Sequence, residues 1–125
     1  MAKWTVIFYT SEDGRCPLDE FIASRKPREQ AKLISWIAQL EKDGPNLPRP
    51  FADFLDDGIH ELRIKLTGQQ IRALYFFCYR EFIILTHTFE KTTSRVPKLQ
   101  LQKAKTIRSR FLARFPNPED LRGES

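Results

Sequence analysis

Arg63 and Lys65 stand two residues apart on a strand-like run, Ile59-His60-Glu61-Leu62-Arg63-Ile64-Lys65-Leu66. Alternation puts Glu61, Arg63 and Lys65 on one side and His60, Leu62, Ile64 and Leu66 on the other. Arg72 follows across the hairpin-type loop Thr67-Gly68-Gln69-Gln70. Lys91 and Arg95 come just after a third apolar run, Phe82 to Phe89. Neighbouring strands lie about 4.8 Å apart, so cations on them can converge on one phosphate. Arginine offers phosphate a bidentate fork. Fixed cations also stabilise the extra charge of a phosphorane during phosphodiester cleavage. His87 is the one imidazole placed for proton transfer, and it shares strand parity with Phe89 and Lys91.

Each of these residues also has a plainer reading. Arg63 and Lys65 fit a solvated strand face, Lys91 and Arg95 fit loop charges, and His87 fits a hydrogen-bonded core histidine. Alternation sets Arg72 on the side of Leu74 and Phe76, which conflicts with a role in binding. Twist, or a bulge near Gly68, is the device that would re-aim it. His60, facing with Leu62 and Ile64, reads as structural.

The elements that must hold these side chains follow from patterning. Trp4 to Thr10 is a first strand, ended by the turn cluster Ser11-Glu12-Asp13-Gly14. Pro17 opens a short helix with Leu18, Phe21 and Ile22 on one face. A longer helix runs from about Arg28 to Lys42, with Leu33, Ile34, Ile37 and Leu40 as its apolar stripe. Residues 44–58 are turn-rich and read as an ordered connection, folded back by Phe51, Phe54 and Leu55. Three strands in a meander then span residues 59–89, the middle one apolar on both faces apart from Arg72. Ser94 is the expected N-cap of a last helix, with Pro97 in its first turn. Leu101, Ala104, Ile107 and Phe111 form its buried stripe, while Lys98, Lys103, Lys105, Arg108, Arg110 and Arg114 crowd its other surface. Either a solvated face or a partner surface accounts for that crowding. The order β-α-α-β-β-β-α predicts an α+β fold: a small antiparallel sheet of about four strands with an N-terminal helical hairpin and a C-terminal helix. Residues 1–115 make one domain, and the polar tail 116–125 is expected to fray.

Composition narrows the partner. The chain has 125 residues and a net charge of +5. Residues 60–115 carry 12 Lys or Arg against three acids, a net of +9, and the remaining residues carry a net of −4. Such a partition suits nucleic acid or an acidic protein segment. It fits a membrane surface less well, because a basic amphipathic helix with exposed aromatics is missing. No apolar run has bilayer length, and the N-terminus does not read as a secretion signal, so a cytoplasmic location is expected. Cys16 and Cys78 read as two reduced, buried thiols. The two cysteines and two histidines do not cluster, so neither a metal nor another cofactor is expected.

The runs Glu61-Leu62-Arg63-Ile64, Arg72-Ala73-Leu74-Tyr75-Phe76 and His87-Thr88-Phe89-Glu90-Lys91-Thr92-Thr93, followed by Pro97, resemble the RelE/ParE superfamily of bacterial toxins. The similarity is greatest to its HigB-like, phage-derived Gp49-like branch. Asp19-Glu20-Phe21 after Pro17 resembles that family's first helix, and the resemblance extends to about Phe115. It implies a RelE-like fold and a ribosome-dependent endoribonuclease that cuts mRNA and is neutralised by a cognate antitoxin, in assemblies up to a heterotetramer. It further implies that Arg63 and Lys65 act in catalysis or substrate binding, that Arg72 stabilises the transition-state phosphate, and that Lys91 and Arg95 lie where relatives supply a further cation. Arg95, Lys98, Lys105 and Arg108 are the expected RNA contacts. Some relatives carry a tyrosine near the start of the last helix, where this chain has Lys98-Leu99-Gln100-Leu101. His87, or Lys65 with a lowered pKa, would then have to serve as base. Two alternatives stay open. One is a ParE-like gyrase inhibitor, which a supercoiling assay would reveal, and the other is a non-catalytic RNA-binding phage accessory protein.

Overall fold

A computed structural model describes residues 4–123. The elements are β1 (Thr5–Phe8), α1 (Pro17–Ala23), α2 (Pro27–Asp43), β2 (Ala52–Asp56), β3 (Ile59–Leu66), β4 (Gln69–Cys78), β5 (Phe82–Glu90), α3 (Lys98–Arg114) and α4 (Pro118–Arg122). One sheet runs in the order β1-β5-β4-β3-β2. The fold is α+β, as the patterning predicts.

Period-2 strands with two apolar faces need cover on both sides. On one face the α1–α2 hairpin sets Leu18, Leu33 and Leu40 against Leu62, Ile64, Ala73, Tyr75 and Ile83. On the other, α3 sets Ala104, Ile107 and Phe111 against Ile59, Leu74, Phe76, Phe82 and Ile84. Each fully buried Leu, Ile or Phe contributes about 1.5–3 kcal/mol. These two layers therefore fix β4 as the rigid centre of the molecule.

Several expectations need correction. The sheet has five strands and is mixed, because β1 pairs in parallel with β5. The extra strand, β2, lies inside the segment read as a connection. A register break at Leu55, between Phe54↔His60 and Asp56↔Ile59, spoils the alternation that would have announced it. Ile34 is 57% exposed rather than part of the α2 stripe. Ser94 does not cap α3, which starts at Lys98 after an extended Pro97. The tail does not fray over its described part. Asn117 and Asp120 form a capping box for α4, and Arg122 pairs with Glu81 on the β4–β5 turn.

Candidate functional site

The register of β3, β4 and β5 arranges the predicted residues in rows. Glu61 faces Leu74, which faces His87. Arg63 faces Arg72, which faces Phe89. Lys65 faces Gln70, and the Lys91 N–H donates to the Gln70 carbonyl at 2.7 Å, extending that row. Residues directly opposite on antiparallel strands share a face. Arg63, Lys65, Arg72, His87 and Lys91 thus belong to one face of the sheet, the one that carries α3.

The conflict over Arg72 dissolves on this geometry. Leu74 and Phe76 do lie on its face, as alternation requires, but that face is apolar only where α3 covers it. Beyond the helix the strands continue into an open depression of about 400 Å³ lined by Pro50, Arg63, Ile64, Lys65, Gln70 and Arg72. No bulge near Gly68 is involved.

The bulge lies elsewhere and aims a different residue. Leu74 pairs with His87 and Tyr75 with Leu85, which leaves Thr86 as the extra residue of β5. One extra residue inverts the parity of everything after it. Without it His87 would point with Ile83 and Leu85 towards the α1–α2 hairpin. Thr86 is held by its hydroxyl, which donates to the Leu74 carbonyl at 3.1 Å. His87 is 1% exposed. Its Nδ1 lies 2.9 Å from Thr86 Oγ1 and its Nε2 2.9 Å from Gln100 Oε1. Burial pushes its pKa down to about 4, with the Gln100 hydrogen bond pulling the other way. The neutral ring has one N–H, which Nε2 donates to Gln100 Oε1, and so ties β5 to the first turn of α3.

Beneath the depression lies Glu61, which sequence reasoning counted only as one acid in a basic run. It is 2% exposed. Arg63 Nε donates to its Oε2 at 2.9 Å, and Arg72 Nε lies 3.3 Å from its Oε1. The second contact is an ion pair without hydrogen-bond geometry, because neither atom has a hydrogen-bond partner. Arg63 Nη2 also donates to Asp53 on β2 at 3.1 Å. Arg72 Nη1 donates to the Ile71 carbonyl and Nη2 to the Gln70 side chain, at 3.2 and 3.1 Å. Burial lowers the pKa of Arg72 and Glu61 opposes that fall, yet a guanidinium stays charged. Like charges directly across a strand pair repel. Glu61 between them lets Arg63 and Arg72 share the site.

The remaining predicted residues divide into two groups. Arg95, in the segment leading into α3, and Lys98, the first residue of that helix, are exposed, near the turn where Gln100 meets His87. Lys105 and Arg108 sit a few turns further along. Lys105 Nζ donates to Asp56 and Arg108 Nη2 to Asp57, each at 2.8 Å, at the β2–β3 turn. That turn begins β3, whereas Arg63 and Lys65 end it, so these two cations stand apart from the depression. Asp53 and Gln70 were also missed. A signal for Glu61 existed, since alternation already placed it beside Arg63.

The described residues contain no cluster of His, Cys, Asp or Glu able to hold a metal, and none of their helices is long and apolar enough to cross a membrane. No curated protein matches the chain. A family profile described as phage derived protein Gp49-like (DUF891) matches residues 20–109. That span runs from α1 into α3 and takes in every candidate residue named above. The match covers most of the sequence: the chain is a member of the phage-derived Gp49-like family, which is related to the RelE toxins.

Proposed function

We propose that the protein is the toxin of a toxin–antitoxin pair and cuts mRNA on the ribosome by 2′-hydroxyl attack on the adjacent phosphate. The observation that carries this reading is the paired register of Arg63 and Arg72 in an open depression flanked by Lys65. The 2′-oxygen bonds to phosphorus and the P–O5′ bond breaks, leaving a 2′,3′-cyclic phosphate and a 5′-hydroxyl. Arg63, Arg72 and Lys91 neutralise the phosphorane without reorganising, which is where fixed cations gain most over water. The 2′ proton leaves to water at the open rim beside Lys65, and the leaving O5′ takes one from the Lys91 ammonium. His87 acts from below by holding β5 and α3 together. Arg95 and Lys98 receive neighbouring phosphates. A cognate antitoxin with an acidic or amphipathic segment covers this basic surface in the cytoplasm.

The test mixes the protein with translating ribosomes and maps mRNA 5′ ends. Cleavage is expected, with Arg72→Ala lowering the rate by about 10²- to 10³-fold. No cleavage above that variant sinks the nuclease reading. One observation favours a second reading: His87, buried between Thr86 and Gln100, cannot reach a substrate hydroxyl. A purely RNA-binding module would show salt-dependent affinity and no new 5′ ends.

A further inference from the structure

We infer that Glu61 is the positioning residue of a two-arginine phosphate clamp, gripping the Nε of Arg63 and of Arg72 so that their outer nitrogens face the RNA backbone. The inference rests on the reading that this face binds RNA phosphate, and does not need the RNA to be cut. Three features of the geometry carry it.

Glu61 is buried while the depression above it is open, so its carboxylate approaches the guanidinium groups from the protein side. Each of its oxygens meets a different arginine, and each arginine meets it through Nε. A guanidinium held at Nε has its planar fork directed away from the holder. Two of the four outer nitrogens are lightly held, while Asp53 takes Arg63 Nη2 and the Ile71 carbonyl takes Arg72 Nη1. Arg63 Nη1 has no hydrogen-bond partner among the described residues, and Arg72 Nη2 rests on Gln70, an exposed side chain in the depression wall. At Arg63 Nη1 and Arg72 Nη2 an arriving phosphate has only Gln70 to displace.

Asp53 makes the opposite contribution. It takes Arg63 Nη2, an outer nitrogen, while sharing its own carboxylate with Arg49. It thus occupies a place where a phosphate oxygen would bind and competes with substrate. Two acids touch the same arginine, one aiming it and one obstructing it. Their replacement should move RNA affinity in opposite directions.

The experiment compares wild type, Glu61→Gln and Asp53→Asn by anisotropy with a short single-stranded RNA whose 2′-positions are methylated to prevent cleavage. Arginine Nε–Hε signals are followed by nitrogen-15 NMR in the same samples. In wild type two Nε–Hε signals, assigned through Arg63→Lys and Arg72→Lys, are slow to exchange with water and both shift on adding RNA. Glu61→Gln weakens binding by about tenfold to a hundredfold, the worth of one charge-assisted hydrogen bond, and speeds exchange at the Arg63 signal, whose Nε–H it accepts. Asp53→Asn tightens binding by about two- to fivefold, the scale of one partly screened charge. A purely structural Glu61 would lower the melting temperature and leave the Nε–Hε exchange and RNA affinity of the folded variant alone, which overturns the inference. So does a Glu61→Gln variant that tightens as Asp53→Asn does, since net charge and not aim would then be responsible, and so does an Asp53→Asn variant that weakens binding, since Asp53 would then support Arg63 instead of obstructing it. If Glu61→Gln fails to fold, Asp53→Asn and the wild-type signals decide. Wild type that binds no RNA also overturns the inference. Wild type that binds methylated RNA in this pattern but cuts no ribosomal mRNA leaves the clamp standing and defeats only the nuclease.

Discussion

Two corners of this molecule bring basic side chains onto acids, and they are built differently. At the end of β3, Arg63 and Arg72 converge on a Glu61 that is 2% exposed. At its beginning, Lys105 and Arg108 reach down from α3 to Asp56 and Asp57, whose side chains are 59% and 62% exposed. The first corner is a buried network whose members cannot be removed singly without stranding a charge. The second is surface pairing, where water competes for every contact. Positive charge that looks equivalent along the sequence is thus committed at one end of the strand and loosely tethered at the other.

The largest effect should come from breaking the buried corner. Glu61→Ala leaves two guanidinium groups without their shared acid, one of them 6% exposed at Arg72. Loss of about 3–5 kcal/mol in urea unfolding is expected, the usual result of removing one member of a buried ion pair. A loss below about 1 kcal/mol would mean that water reaches Glu61 and that the two corners do not differ in kind.

Much of this arrangement was legible beforehand, for an identifiable reason. Alternation along β3 and the hairpin at Gly68 were enough to set Arg63, Lys65 and Arg72 on neighbouring strands. Reading Arg72 as conflicted came from supposing that a sheet face has one character throughout, whereas the length of α3 divides it. His87 was harder. The run Phe82-Ile83-Ile84-Leu85 is apolar on both faces, so nothing in it marks the extra residue at Thr86 that turns the ring towards α3. Glu61 needed tertiary knowledge, because its burial depends on partners from β4 and on a strand, β2, hidden behind prolines and a bulge. Lys105 and Arg108 read like their neighbours on the same helix. Their acids lie 49 and 51 residues away, beyond the reach of any local pattern.

Acid sharpens the same contrast. The folded pKa of His87 is lowered to about 4 from an ordinary 6.5, chiefly by burial. Between those values the unfolded chain binds a proton that the folded chain refuses, so stability falls as pH drops from 6.5 towards 4. The total is up to about 3 kcal/mol at 1.36 kcal/mol per unit. Melting temperatures from pH 7 to 4.5 should therefore fall more steeply in wild type than in His87→Gln, which cannot charge. Equal slopes would show that the imidazole reaches water in solution.

The smallest effect belongs to the exposed corner. Lys105→Ala and Arg108→Ala each remove a pair whose acid is more than half exposed, and the freed Asp56 or Asp57 is simply hydrated. Melting temperature should move by no more than about two degrees for either variant, and less again at high salt. Both residues were expected RNA contacts, so their effect on binding to the methylated RNA shows what the tether does. If the acids merely hold these side chains at the surface, each substitution lowers affinity modestly and reduces the salt slope by about one. If the pairs persist in the complex, affinity and slope stay at the wild-type values, and the RNA path ends near Lys98. Affinity losses as large as that of Arg72→Ala would move the centre of recognition from the sheet to the helix, and the two corners would exchange roles.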